Sequence, residues 1–267
     1  MRKHSRRTFL SLITARVTLI VISLLATGLS SADRPDLIAN VKRSIVAVGT
    51  FVATRNPRFR FYGTGFVVGD GTLVATNDHV IPRLLDSQSN EALVVVVPDA
   101  TQVQIRNAKR EASNLAADVT LLKIGGTPLP ALALDATGNL REGEDLLFTG
   151  FPLGDALGLA PVTHNAMLSA IIPIALPAPH SKQLDARAVR QLSEGPMQIL
   201  QLDGTAYPGN SGSPLYRDGS GRVVGIVNMV FVKSSKESAL SAPSGISYAI
   251  PVSYLLTLLE SLHQPSR

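Results

Sequence analysis

A serine hydroxyl becomes a nucleophile only beside a base that takes its proton and donors that hold the charge it creates. The run Tyr207-Pro208-Gly209-Asn210-Ser211-Gly212-Ser213-Pro214 suits the second requirement. Glycines on either side let the backbone bend sharply, so Ser211 can project outward while the N–H groups of Gly209 and Ser211, with Asn210 between them, converge on one point. A tight turn between two strands uses the same residue types, so the run alone leaves both readings open. Two residues upstream supply what it lacks. His79 follows a hairpin pattern, Gly63–Val68 and Leu73–Thr76 about a turn at Gly69–Gly71, which delivers an imidazole just past a strand end. Asp118 heads the apolar run Val119–Ile124. A carboxylate leading into a core is costly unless something bonds it, and an imidazole N–H would do so; a solvated strand-start aspartate is the alternative. The remaining histidines carry less chemistry. His4 is in the leader, His164 reads as a surface or partly buried polar residue beside a strand, His180 lies in a loop and His263 near the chain end.

The elements that must position these residues read as β-structure. Ile45–Val52, Phe61–Val68, Leu73–Thr76, Ala92–Val97, Gln102–Asn107, Val119–Ile124, Asp145–Phe151 and Thr163–Ile172 are β-branched or apolar runs separated by turn residues. Asp33–Arg43 reads as a short lead-in helix, with Pro35 near its start. At the other end Ser253–His263 carries the leucine stripe of a docking helix. The segment Gly154–Pro196 is the least legible. Its part from Pro173 to Glu194 reads as a long surface loop, with one helical turn around Leu184–Leu192.

Bulk properties narrow the function classes. A chain of 267 residues can bury a sizeable core, and 45% hydrophobic with 17% charged residues is ordinary for a globular protein. No cysteine is present, which removes disulfides, thiolate metal sites and a cysteine nucleophile. The net charge of +5 suggests nucleic acid, yet the excess lies wholly in Arg2, Lys3, Arg6, Arg7 and Arg16, ahead of the first acid, Asp33. Beyond residue 32 the balance is 25 − 5 = 20 basic against 20 acidic residues, so no nucleic-acid partner is expected. Residues 1–32 read as an export signal: a basic start, the apolar run Val17–Leu29, then Ser30-Ser31-Ala32 at a plausible cleavage site. Ser5-Arg6-Arg7-Thr8-Phe9-Leu10 resembles a twin-arginine signal, with an ordinary Sec signal as the alternative. The expected location is periplasmic or extracellular, with no stable membrane association once the signal is removed.

Three blocks in order make a specific resemblance. Gly63–Val68 with Thr76-Asn77-Asp78-His79-Val80, then Ala117-Asp118-Val119-Thr120-Leu121-Leu122-Lys123-Ile124, then Asp203–Leu215 are similar to the catalytic blocks of trypsin-like serine proteases, whose order is His, Asp, Ser. Asn77, Pro208-Gly209-Asn210-Ser211 and Gly245-Ile246-Ser247-Tyr248-Ala249-Ile250-Pro251 resemble the HtrA/Deg group within them. The resemblance implies an all-β fold of two perpendicular six-stranded antiparallel barrels, about 40–137 and 138–251, with a carboxyl-terminal helix at 253–263. It implies a triad of His79, Asp118 and Ser211, an oxyanion hole of Gly209, Asn210 and Ser211 backbone N–H groups, polypeptide substrates, and neither cofactor nor metal. A homotrimer is compatible with it. The residue six before the nucleophile, Thr205, lies on this reading at the floor of the primary pocket, beside Ala206. Neither carries a charge to offset a basic side chain, so cleavage after small or medium apolar residues is expected. Two departures stand out: Ser213 occupies a position where the family has glycine, and the chain stops soon after Leu262, so no PDZ domain is expected. A catalytically weak, protease-like module that binds polypeptides as a holdase or scaffold is the alternative reading.

Overall fold

In the computed structural model, residues 33–98, 103–154, 158–174, 196–229 and 245–262 are described. The expected leader, the turn at Leu184–Leu192 and His263 lie outside the described residues. A helix, α1 (Arg34–Lys42), leads in, burying Leu37 and Val41 from one face. Strands β1 (Ile45–Phe51), β2 (Phe59–Val68), β3 (Leu73–Thr76), β4 (Ala92–Val97), β5 (Gln104–Asn114) and β6 (Val119–Ile124) follow, with a 3₁₀ turn at Asp78–Val80 after β3. They close into one barrel in the order β1-β2-β3-β6-β5-β4. A second barrel, in the order β10-β11-β12-β9-β8-β7, holds β7 (Asp145–Gly150), β8 (Val162–Ile174), β9 (Met197–Asp203), β10 (Pro214–Arg217), β11 (Val223–Asn228) and β12 (Ile246–Pro251). The chain then enters α2 (Val252–Leu262). Closure leaves neither sheet with an unpaired edge.

Leu73–Thr76, Ala92–Val97 and Val119–Ile124 keep the bounds read from the sequence; the other expected strands shift at one or both ends. Strand β8 runs to Ile174, into the segment from Pro173 read as a loop, because Pro173 and Ile174 pair with Gln198 and Met197 of β9. Strand β2 begins at Phe59 rather than Phe61, and β5 runs on to Asn114. Along β5 only Ala108 is buried, so the strand shows no alternation to read. Its register against β6, with a bulge between Arg110 and Ala112, supplies what its side chains do not.

Apolar burial holds the barrels closed and holds them together. Val46, Val48, Val67, Val74 and Leu122 fill the first barrel, and Leu146, Phe148, Leu202, Leu215 and Val227 the second. A third cluster joins Ile45, Phe66 and Leu121 of the first to Leu147, Tyr216 and Ile226 of the second, with Leu255 and Leu258 of α2. Helix α2 packs against β5 and β6 as well as β11 and β12, so it straps both barrels. Each such fully buried Leu, Ile or Phe contributes roughly 2 kcal/mol, which makes the seam a major source of stability.

The connection between the barrels is pinned by one arginine. Arg217 Nε donates to Asp135 Oδ2 at 2.8 Å, its Nη1 pairs with Glu144, and its Nη2 donates to Asn139 O at 3.1 Å. Burial by itself would raise the Asp135 carboxyl. Hydrogen bonds from Thr137 and Arg217 outweigh that and hold it at about 2, below its ordinary 3.8. Because the folded value is the lower one, the stability this group contributes is present above about 3.8 and is lost as pH falls toward about 2. Arg217→Met leaves a buried carboxylate unpaired and should destabilise the protein by about 3 kcal/mol at neutral pH. In urea melts that deficit should shrink as the pH drops through the same window; a deficit that stays constant there would contradict the assignment.

Candidate active site

Strands β3 and β6 pair antiparallel, Thr76 against Thr120, so the residues just past β3 meet those just before β6 at one end of the first barrel. That register brings His79 to Asp118. Asp118 Oδ2 lies 2.6 Å from His79 Nδ1, and Oδ1 accepts the His79 backbone N–H at 2.9 Å. Asp118 itself has a φ of +55°, a left-handed conformation uncommon outside glycine though better tolerated by aspartate than by most residues, and its surroundings fix it there. The surroundings are visible. Its carbonyl accepts Asn77 Nδ2 at 3.0 Å and the Asp78 N–H at 3.3 Å, and Asn77 is fully buried.

The serine loop comes from the second barrel but is moored to the first. Thr64 of β2 donates its N–H to Ser211 O at 2.9 Å and its hydroxyl to Gly209 O at 2.7 Å. Gly209 (φ +99°) and Gly212 (φ +87°) take conformations that side chains rarely adopt. A Cβ would also fall 2.2 Å from Phe151 O at Gly209 and 1.9 Å from Thr64 O at Gly212. A Cβ at Gly63 would fall 2.8 Å from Val80 Cγ2 and 3.0 Å from Ser211 O, so the serine backbone and the histidine turn approach β2 at the same point. Ser211 Oγ accepts the Met229 N–H at 3.3 Å, and among the described residues it makes no hydrogen bond to His79. The loop also sorts its donors. Asn210 N–H is used within the loop, on Tyr207 O at 2.9 Å, whereas neither Gly209 nor Ser211 N–H donates to any described residue. That leaves two of the three expected oxyanion donors unspent. Thr205 is half-buried; Ala206 packs against the interior of the second barrel and its N–H donates to Ser247 Oγ at 2.8 Å.

Sequence reasoning missed one partner of this site. Asn228, the last residue of β11, donates Nδ2 to Asp118 Oδ2 at 2.6 Å, so the carboxylate of one barrel is bonded by the other. An amide closing the otherwise apolar strand Val223–Asn228, with all six residues buried, was the available signal. Ser213 fits sterically: it is fully buried and faces Gly150, where a Cβ would sit 2.0 Å from its hydroxyl, although that hydroxyl bonds to no described residue. His164 lies in β8, stacked on Phe148 at 4.8 Å, and burial lowers its pKa. Its expected place, a partly buried polar residue outside the triad, agrees with this.

Comparisons with known proteins point the same way. A family model, the trypsin-like peptidase domain, matches residues 63–226. A "Probable periplasmic serine endoprotease DegP-like" of Ectopseudomonas mendocina is 27% identical over 221 residues, covering 83% of this chain and 39% of the relative. Its namesake in Pseudomonas fluorescens is 28% identical over 200 residues, covering 75% of this chain and 34% of the relative. The chain thus spans little more than a third of the length of the curated relatives it matches. Among solved structures, the inactive form of the Rv3671c protease superposes with a TM-score of 0.60 at 19% identity, covering 89% of this chain and 97% of that one. The HtrA-type protease AlgW with a tripeptide gives 0.58 at 21% identity, over 86% of this chain and 64% of that one. At these identities the two structures speak for the fold alone.

Gly150→Ala should therefore destabilise the protein by about 3 kcal/mol through overpacking against Ser213. Adding Ser213→Gly should restore part of that loss in a double-mutant cycle read by thermal melts. Strictly additive effects would show that the two positions do not compete for the same space.

Proposed function

Because the chain belongs to the trypsin-like peptidase family, we propose that it is an exported serine endopeptidase of the HtrA/DegP type. The observation that carries this reading is the 2.6 Å contact of His79 with Asp118, next to a serine loop moored on β2. On this reading Asp118 fixes the imidazole so that Nε2 faces the cleft. Ser211 turns its hydroxyl from Met229 toward that nitrogen, a change between staggered rotamers about one bond. His79 takes the hydroxyl proton as Ser211 Oγ attacks the peptide carbonyl, then returns it to the leaving amine; water releases the acyl group by the same route. The unspent N–H groups of Gly209 and Ser211 receive the oxyanion, and one such donor is worth about 3 kcal/mol in the barrier.

Thr205 and Ala206 offer a substrate side chain no carboxylate, which supports cleavage after small or medium apolar residues such as valine or alanine. The export-type leader supports action outside the cytoplasm, as do relatives whose printed names call them periplasmic. A second reading, a polypeptide-binding module with little turnover, draws on the Met229 contact that holds the nucleophile.

A fluorophosphonate probe separates the two. It should label the wild type and fail on Ser211→Ala; an unlabelled wild type would favour the binding module. Among peptide substrates, those with valine or alanine before the scissile bond should be turned over at least tenfold faster than those with arginine or lysine. The reverse order would refute the pocket assignment.

A further inference from the structure

A second carboxylate, next to His79 in the chain, is not used by the chemistry above. Asp78 immediately precedes the histidine in the same 3₁₀ turn, and its half-buried side chain is bonded by barrel-one partners. Thr120 Oγ1 donates to Asp78 Oδ1 at 2.7 Å, and Arg110 Nη1 pairs with the same oxygen. Arg110 also donates to Ser113 Oγ at 2.8 Å, and Ser113 and Thr120 bond each other at 2.8 Å. The guanidinium is thus aimed by two strands, β5 and β6, at one carboxylate. The Arg110 side chain is 36% exposed and that of Asp78 22%.

We propose that Arg110 is the counter-charge that cancels Asp78 at the histidine turn, so that removing either partner alone changes the field at the His79 ring. The inference rests on the reading of His79 as a general base. An uncompensated carboxylate one residue from the imidazole would stabilise the protonated, inactive ring, and a lone guanidinium would oppose protonation. The paired arrangement removes both effects while tying the histidine turn to β5 and β6. Other charges near the turn stay constant in such a comparison. Asp118 lies at the head of β6, and exposed Lys109 and Glu111 flank Arg110 on β5. On β2, Arg60 lies over the Tyr62 ring at 5.5 Å, and Arg83 follows the turn in an exposed position. From the second barrel, Ser211 and Asn228 bring no charge.

The test is the titration of the His79 imidazole followed by NMR in the full chain, with the acid limb of kcat/KM as a second readout. Arg110→Gln should move both to higher pH, and Asp78→Asn should move both to lower pH, each by about half a unit. The double variant Asp78→Asn with Arg110→Gln should return close to the wild type, and Arg110→Lys should stay there. Shifts of the two single variants in the same direction, or no shift in either, would overturn the proposal, since distortion of the turn alone predicts no opposed pair. Should Asp78→Asn fail to fold, the contrast between Arg110→Gln and Arg110→Lys carries the test. Fluorophosphonate labelling of the same wild-type sample keeps the two ideas apart: a labelled serine with unmoved titrations sinks only this inference, and an unlabelled serine with opposed shifts sinks only the peptidase reading.

Discussion

The Asp118 carboxylate takes hydrogen bonds from the backbone and ring of His79 in its own barrel and from Asn228 in the other. A partly buried carboxylate is stable only if its lone pairs are used, so these donors and the acid hold one another in place. The left-handed backbone at Asp118 adds strain of order 1–3 kcal/mol, sustained by the bonds that Asn77 and Asp78 make to its carbonyl. A geometry this constrained exists only when both barrels are folded and seated. The apolar seam and the strap of α2 supply that condition, so core packing becomes a requirement of chemistry as well as of stability.

Strand β2 plays the matching part for the serine. Thr64 donates its N–H to Ser211 O and its hydroxyl to Gly209 O, its Oγ1 accepts the Phe151 N–H at 3.1 Å, and its carbonyl accepts the Thr76 hydroxyl at 2.7 Å. Nearly every polar group of this residue thus helps to shape the loop. What the loop leaves over is two N–H groups with no described partner, next to a hydroxyl. Such donors, fixed before substrate arrives, cost no reorganisation when charge develops.

Much of this was legible from the chain because it rests on local rules. The β-branched or apolar runs Leu73–Thr76 and Val119–Ile124, set off by turn residues, are strands at the expected bounds, and strand ends are where His79 and Asp118 were expected. The glycines at 209 and 212 foretold positive φ values. What was not legible depends on contacts between distant segments. Asn228 meets Asp118 across 110 positions, and nothing in the polarity of either residue names the other. Ser213, standing where the family has glycine, has its room from Gly150 in a distant segment, which neither residue announces. Strand β5 presents mainly polar residues to solvent, so its length follows from its partner rather than its own pattern. The likeness to trypsin-like proteases covers these gaps for the fold, but not for the particulars of this site, which depend on contacts peculiar to this chain.

The central claim is that His79, Asp118 and Ser211 form one working unit across the two barrels. A crystal structure with a peptide boronate tests it most directly. The account predicts a tetrahedral adduct on Ser211 Oγ, one boronate oxygen held by the Gly209 and Ser211 N–H groups, and His79 Nε2 within hydrogen-bonding distance while Asp118 keeps its bond to Asn228. A boronate seated in the cleft without a bond to Ser211, or an adduct that leaves the imidazole out of reach, would contradict it.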